Sequence, residues 1–347
     1  IAPPELSLAG IDLQLEPQLR TRGWELSYQG ASSYAFWGQV EQVQLLRQLA
    51  KLKFNDLMIR VCAGEPFIPF AAAGMRRKEG KFWPTNEFPV DGDTAGRSAF
   101  GGAKIFQNPD LANASNENER IAAGQVLLRG VIAAAHRQGM KVTFHIEPYD
   151  LPPEFDHNKV IVDTELAKTL AQATVREYIQ AYPEIDALMI GISNIYPQTP
   201  QFFREEKLWL RPDRSRILPR AFARRDSEAV TNWLKTVPGA RDITYHGFTV
   251  SRSQEAATSM LDVALGEWRD QPLPQIANAR ATRELTLLRE HHWQGLQVTA
   301  EESIGCLDLG AYLVSRQSFG IDVSPEEACD SLLTPVCGSE VHTRVSK

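Results

Sequence analysis

No stretch of this 347-residue chain is apolar for the roughly 18 residues that a membrane-spanning helix needs; its apolar segments are strand-sized or broken by charge. Nor is there a basic run. With 37 Lys and Arg against 43 Asp and Glu the net charge is −6, which argues against a nucleic-acid partner. Cysteine is scarce, and Cys62, Cys306, Cys329 and Cys337 fit no zinc spacing. In an oxidising compartment Cys329 and Cys337 would close a small loop; buried free thiols are the other reading. Also missing are a Gly-x-Gly-x-x-Gly fingerprint after a strand, a phosphate loop, a Gly-x-Ser-x-Gly elbow and a zinc-binding helix motif. His291-His292 falls at a helix end and reads as exposed. No metal or other cofactor is therefore expected.

What is present is enough apolar character, 43% of residues, for a full core. The length allows two domains, but α/β barrels routinely use this much chain as one. The clearest local signal is Lys141-Val-Thr-Phe-His-Ile-Glu147-Pro-Tyr-Asp150. Val142, Phe144 and Ile146 alternate with Thr143, His145 and Glu147, a strand rhythm that Pro148 stops. A helical run over 117–138 precedes it, and Gly139 suits the left-handed position just past a helix end. Glu147 therefore stands at a strand's C-terminal tip, where α/β proteins bind ligands.

The same alternation extends in both directions. Gly23 to Gln29 reads as a strand, 37 to 53 as a helix with an apolar side, and 56 to 63 as a short buried strand. A helix over 163–181 with Asp163 as its cap leads to a strand over 187–194. Between 200 and 240 no strand is legible. Further on, 242–250 reads as strand, 254–270 as helix, 275–280 as strand, 282–292 as helix and 295–300 as strand. A helix over 308–318 follows. Ser324-Pro325 then opens another, with Ser324 as cap and Pro325 at the first position. Seven strands alternating with helices predict a parallel sheet, a (β/α)8 barrel with one weak or missing stave. Residues 64–116 form one long connection carrying Phe67, Phe70, Phe82, Trp83, Phe88, Phe100 and Phe106, which argues against disorder. It reads as an ordered excursion over the mouth. The expected division is a lead-in over 1–22, the barrel over 23–322 and a C-terminal helical extension over 323–347. Ile1-Ala-Pro-Pro-Glu5 has neither an initiator Met nor the pattern of a secretory leader, so a processed piece is expected. An extracellular or periplasmic location is expected with it.

Several phrases in order resemble one group of proteins. They are Leu127-Leu-Arg-Gly-Val-Ile-Ala-Ala-Ala-His-Arg-Gln-Gly-Met-Lys-Val142 with Glu147-Pro, Tyr182-Pro-Glu-Ile-Asp186, and Leu309-Gly-Ala-Tyr312 through Gly320-Ile-Asp-Val-Ser-Pro-Glu-Glu327. Together they resemble segments of the family 20 (β-hexosaminidase-like) and α-glucuronidase-like glycoside hydrolases. The resemblance implies a barrel that handles a carbohydrate. It fails at one place: where those barrels carry a carboxylate on strand four, this chain has Ser193-Asn194-Ile195.

Cleaving a glycosidic bond generally takes two carboxyl groups, one protonated and one ionised. Glu147 and the pair Glu301-Glu302, just past the strand over 295–300, are the candidates at strand tips. Each has a plainer reading, as an ion pair or a helix cap. His145 shares a face with Glu147 and suits a sugar hydroxyl, as does Asn194. Tyr28, Trp37 and Trp83 are candidate stacking surfaces for a sugar ring, and His246 comes from another strand. Arg60, inside an apolar strand, needs a partner, which Glu25 on the neighbouring strand would supply. A barrel that binds glycan without catalysis is the competing reading, and the missing strand-four carboxylate favours it.

Overall fold

The computed structural model describes residues 16–28, 34–78, 80–81, 87–89, 105–152, 155, 157–191, 219–220, 245–247, 259–265, 279–300, 307–319 and 324–338. Eight parallel strands close into a barrel. They are β1 (Thr21–Ser27), β2 (Asp56–Cys62), β7 (Lys141–Glu147), β8 (Ala187–Gly191), β9 (Pro219–Arg220), β10 (Tyr245–Gly247), β11 (Ser259–Leu265) and β12 (Gly295–Ala300). Two antiparallel ribbons interrupt the connection between β2 and β7: β3 (Ala71–Ala72) with β4 (Met75–Arg76), and β5 (Glu87–Pro89) with β6 (Ile105–Gln107). The long connection therefore carries structure of its own.

Helices α1 (Gln39–Lys51), α2 (Glu117–Arg137), α3 (His157–Val162), α4 (Thr164–Ala181), α5 (Ala279–Glu290), α6 (Leu307–Ser318) and α7 (Pro325–Cys337) lie between and after the strands. Their ends follow local chemistry. The Asn116 side chain accepts from the Glu119 N–H to start α2, and Gly139, at φ +74°, ends it in a backbone region that glycine enters without strain. Asp163 caps α4, as its sequence position predicts. Ser324 and Glu327 form a reciprocal capping box at the start of α7, with Pro325 at its first position.

Alternation along each strand divides its side chains between two environments. Leu57, Ile59 and Val61 of β2, Val142, Phe144 and Ile146 of β7, and Leu296 and Val298 of β12 belong to the main core. Phe144 meets the rings of Tyr178 on α4 and of Tyr182 just past its end, so this face packs against the helical layer. The other face lines the barrel axis. There Met58 and Met189 form a small cluster of their own. They share the interior with buried polar groups: Glu25, Thr143, His145, Gln297 and Thr299. Gly23 lies on this face with the end of the Gln297 side chain packed against it, so an added Cβ would displace that amide.

Three sequence expectations need correction. The helix expected over 254–270 is a strand at its centre, β11, which pairs with β12 from Met260–Gly295 to Leu265–Ala300. Met, Leu and Ala favour a helix in isolation, and Met260 and Val263, on opposite faces of the strand, are both buried, so its apolar residues show no period of two to mark it. Residues 279 and 280, read as the end of a strand, begin helix α5. The stave that was not legible between 200 and 240 is described at Pro219–Arg220, which pair with Ile190 and Gly191 of β8. In addition, Cys329 and Cys337 both lie in α7. At 1.5 Å per residue their Cα atoms are about 12 Å apart, beyond the ~7 Å limit for a disulfide. They cannot close a loop.

Candidate functional site

The site is built where β2 and β7 run side by side. Their register pairs Arg60 with His145 and Cys62 with Glu147. Since Met58, Arg60 and Cys62 share one face of β2, and Thr143, His145 and Glu147 one face of β7, all six side chains belong to the barrel axis. Arg60 Nη2 lies 3.1 Å from Glu147 Oε1. His145 Nε2 lies 3.1 Å from the same oxygen. A guanidinium and an imidazole thus converge on one carboxylate oxygen at the C-terminal mouth. His145 is fully buried, while the Arg60 and Glu147 side chains keep 17% and 15% of their exposure. The pair is at the surface of the mouth, and the histidine is beneath it.

Arg60 does not pair as its sequence context suggested. Glu25 stands in register with Met58 and Thr299, one layer deeper in the barrel, whereas Arg60 is level with Ser27 and His145. From that level the long arginine side chain reaches up to Glu147.

Behind the tip of β2 the chain turns through Ala63-Gly-Glu-Pro-Phe67, and a second carboxyl is enclosed there. Glu65 is fully buried and its Oε2 accepts from the Cys62 N–H at 3.0 Å. Oε1 has no hydrogen-bond partner among the described residues. Burial pushes its pKa up to about 8, and the nearby Asp150 charge adds to this; the Cys62 N–H, Arg60 and Arg77 act the other way. Burial likewise raises the Cys62 thiol, with Glu65 and Asp150 reinforcing it.

Arg77 holds this turn in place. It is buried, donates from Nη1 to the carbonyls of Ala63 and Glu65 and from Nη2 to that of Ile68, and pairs through Nε with Glu117 Oε1 at 3.0 Å. Tyr178 of α4 donates to the Cys62 carbonyl at 2.7 Å, and Tyr182, just past the end of α4, to the Phe67 carbonyl at 2.8 Å. Helix α2 approaches so closely that a Cβ at Gly124 would collide with the Pro66 carbonyl oxygen. The backbone behind the mouth is therefore held from three sides.

The sequence-predicted residues divide accordingly. Glu147 and His145 come together, with Arg60 added. Tyr28 does not face the mouth: it is fully buried, donates to Gln42 Oε1 at 2.7 Å and meets the Phe67 ring edge-on at 4.9 Å. With its ring packed on both counts it offers a sugar no stacking face. Trp37 is half-buried at the start of α1, its ring edge-on to Tyr34 at 5.3 Å. His246 is the central residue of β10, in register with Arg220 and Met260, and its side chain lies outside the described residues. Asn194, Glu301, Glu302 and Trp83 also lie outside them. Glu65 and Arg77 were missed, because a turn residue and an arginine in a loop carry no periodic signal. Among the described residues no three His, Cys, Asp or Glu side chains converge as a metal would require. No helix among them is long and apolar enough to cross a membrane.

The chain is a closed parallel (β/α)8 barrel of the TIM type, with charged side chains gathered at its C-terminal mouth. The fold is the one that glycoside hydrolases carry. A family 138 glycoside hydrolase targeting pectin rhamnogalacturonan II matches over 95% of this chain at a TM-score of 0.56 and 10% identity. A family 115 4-O-methyl-α-glucuronidase with specificity for decorated arabinogalactans matches over 96% at 0.54 and 8% identity. A mutant of the Thermobaculum terrenum O-GlcNAc hydrolase matches over 94% at 0.50 and 12% identity. At these identities the likeness is one of fold. The chain spans 43% of the length of each of the first two proteins and 65% of the third. No family model matches the sequence, and no curated protein does.

Proposed function

We propose that this chain is a carbohydrate-active barrel, a glycoside hydrolase that cleaves a poly- or oligosaccharide with two carboxyl groups. The observation that carries the reading is the convergence of Arg60 and His145 on Glu147 Oε1 at the mouth. A guanidinium at this distance favours the charged form of a carboxylate. Glu147 then suits the member of the pair that works ionised, as base, nucleophile or stabiliser of an oxocarbenium-like transition state. The proton donor would be Glu301 or Glu302, which follow β12 directly in the sequence. Passing from β7 through β2 and β1 to β12 is three steps round the eight-stranded ring, which supports pairing a carboxyl after β12 with Glu147. His145 and Asn194 would orient the sugar, and Trp37, Trp83 and His246 remain candidate contacts. An extracellular or periplasmic location belongs to the same proposal.

One observation favours a second reading. The Arg60–Glu147 pair is also what a purely structural ion pair looks like, and Asn194 stands where a strand-four acid is expected. A barrel of that kind would bind glycan without cleaving it. A panel of acidic and neutral glycans separates the two. Hydrolysis by the wild-type protein that falls at least about a hundredfold in Glu147→Gln, and in one of Glu301→Gln and Glu302→Gln, supports the enzyme. Undiminished turnover in Glu147→Gln overturns its assigned role. Binding without any hydrolysis overturns the enzyme itself.

A further inference from the structure

Glu65 is a buried ionisable group that the proposed chemistry does not use. We propose that Glu65 is a positioning residue for the mouth: it fixes the tip of β2 through Cys62 and sets how firmly Arg60 is held by Glu147. This rests on the reading of Glu147 as the acting carboxylate, but its test does not require turnover.

The geometry is a chain of contacts along one strand. Glu65 Oε2 accepts the Cys62 N–H, at the residue whose register partner is Glu147. Two residues earlier on the same face of β2 is Arg60, whose guanidinium meets Glu147. Arg60 thus stands in the field of two carboxyls, one at the mouth and one behind the strand. The charged and titratable groups around Glu65 come from every side. Among the described residues they are Arg60 and Cys62 on β2, Tyr28 after β1, Asp150 after β7, Arg77 after β4, Tyr178 on α4 and Tyr182 just past its end. The two arginines oppose proton binding at Glu65, and burial and Asp150 favour it; burial wins. While Glu65 is neutral, it does not compete with Glu147 for the Arg60 guanidinium. Once it loses its proton, the guanidinium is drawn back toward β2 and its hold on Glu147 loosens. The turn cannot swing away to relieve this, because Arg77, Tyr178 and Tyr182 hold its backbone.

The experiment follows the cluster by NMR, without substrate. Protein labelled with 15N at arginine and histidine and with 13C at the glutamate carboxyls is titrated from about pH 6 to about pH 9.5, a span that contains the value of about 8 at Glu65. In the wild type the Glu65 carboxyl, the Arg60 Nε and the Glu147 carboxyl should move together with one midpoint. Glu65→Gln keeps an acceptor for the Cys62 N–H and should abolish the step at Arg60 and Glu147 while leaving the fold intact. A step at Arg60 that persists in Glu65→Gln overturns the proposal. So does a wild type in which Glu65 titrates while Arg60 and Glu147 stay still, and that comparison needs no variant to fold. An inactive protein that shows the common midpoint would count against the hydrolase reading and leave this inference standing.

Discussion

Arg60 reaches Glu147 diagonally: in register the glutamate faces Cys62, and the arginine two residues before it closes the gap to 3.1 Å. The pair therefore ties β2 to β7 at the one level where both strands end. Because each side chain keeps some solvent, its worth is well below that of a fully buried pair. Arg60→Met should cost about 1–2 kcal/mol in urea unfolding. Adding Glu147→Gln to that variant should recover most of the loss, since a neutral amide does not need the cation. Equal loss in the single and double variants would show that the arginine stem, and not the charge, matters.

A larger effect is expected at Arg77, whose guanidinium is enclosed and donates to three backbone carbonyls as well as Glu117. Arg77→Met strands those carbonyls and leaves Glu117 without its cation, and should cost roughly 3–5 kcal/mol. Calorimetry on the variant checks this. Arg77→Lys should recover little, because an ammonium cannot span the same fork of acceptors.

Glu65 also makes stability depend on pH, in a direction opposite to that of an ordinary ion-paired carboxylate. Its pKa is about 8 when folded, against 4.5 for a free glutamate side chain. Between those values the folded state holds a proton that the unfolded state has lost, so the slope of stability with pH is negative. The protein should lose on the order of a few kcal/mol as pH rises from about 4.5 to about 8, then level off. Glu65→Gln should flatten that part of the curve in unfolding series run at several pH values.

Two glycines on α2 and its end differ in why they are glycine. At Gly124 the added Cβ strikes a backbone oxygen of the Pro66 turn, whereas at Gly139 it meets nothing and only the φ of +74° resists it. Gly124→Ala should cost about 2–3 kcal/mol by displacing the turn, and Gly139→Ala about 1 kcal/mol of backbone strain. A reversed order in thermal unfolding would contradict the packing described here.

What could be read from sequence followed the physics of each element. β7 was legible to the residue because its alternation is clean and glycine and proline punctuate its ends. The caps at Asp163 and Ser324 were legible because a short polar side chain before an amphipathic run has one obvious use. β11 was not, since burial on both faces erases the period that separates strand from helix. The site was half legible. His145 and Glu147 share a face by simple alternation, but the partner of Glu147 depended on the stagger between β2 and β7, which a single strand does not encode. Tyr28 failed as a sugar platform for a related reason. Its position near a strand tip was read correctly, and its burial under Phe67 came from a loop more than thirty residues away.

β2 is laced to both of its neighbours, through five register pairs to β1 and seven to β7. Mechanically the three strands form one stiff plate under the mouth. A pull on any of them is passed sideways, so Arg60 and Glu147 ride together and keep their separation while the plate shifts as a unit.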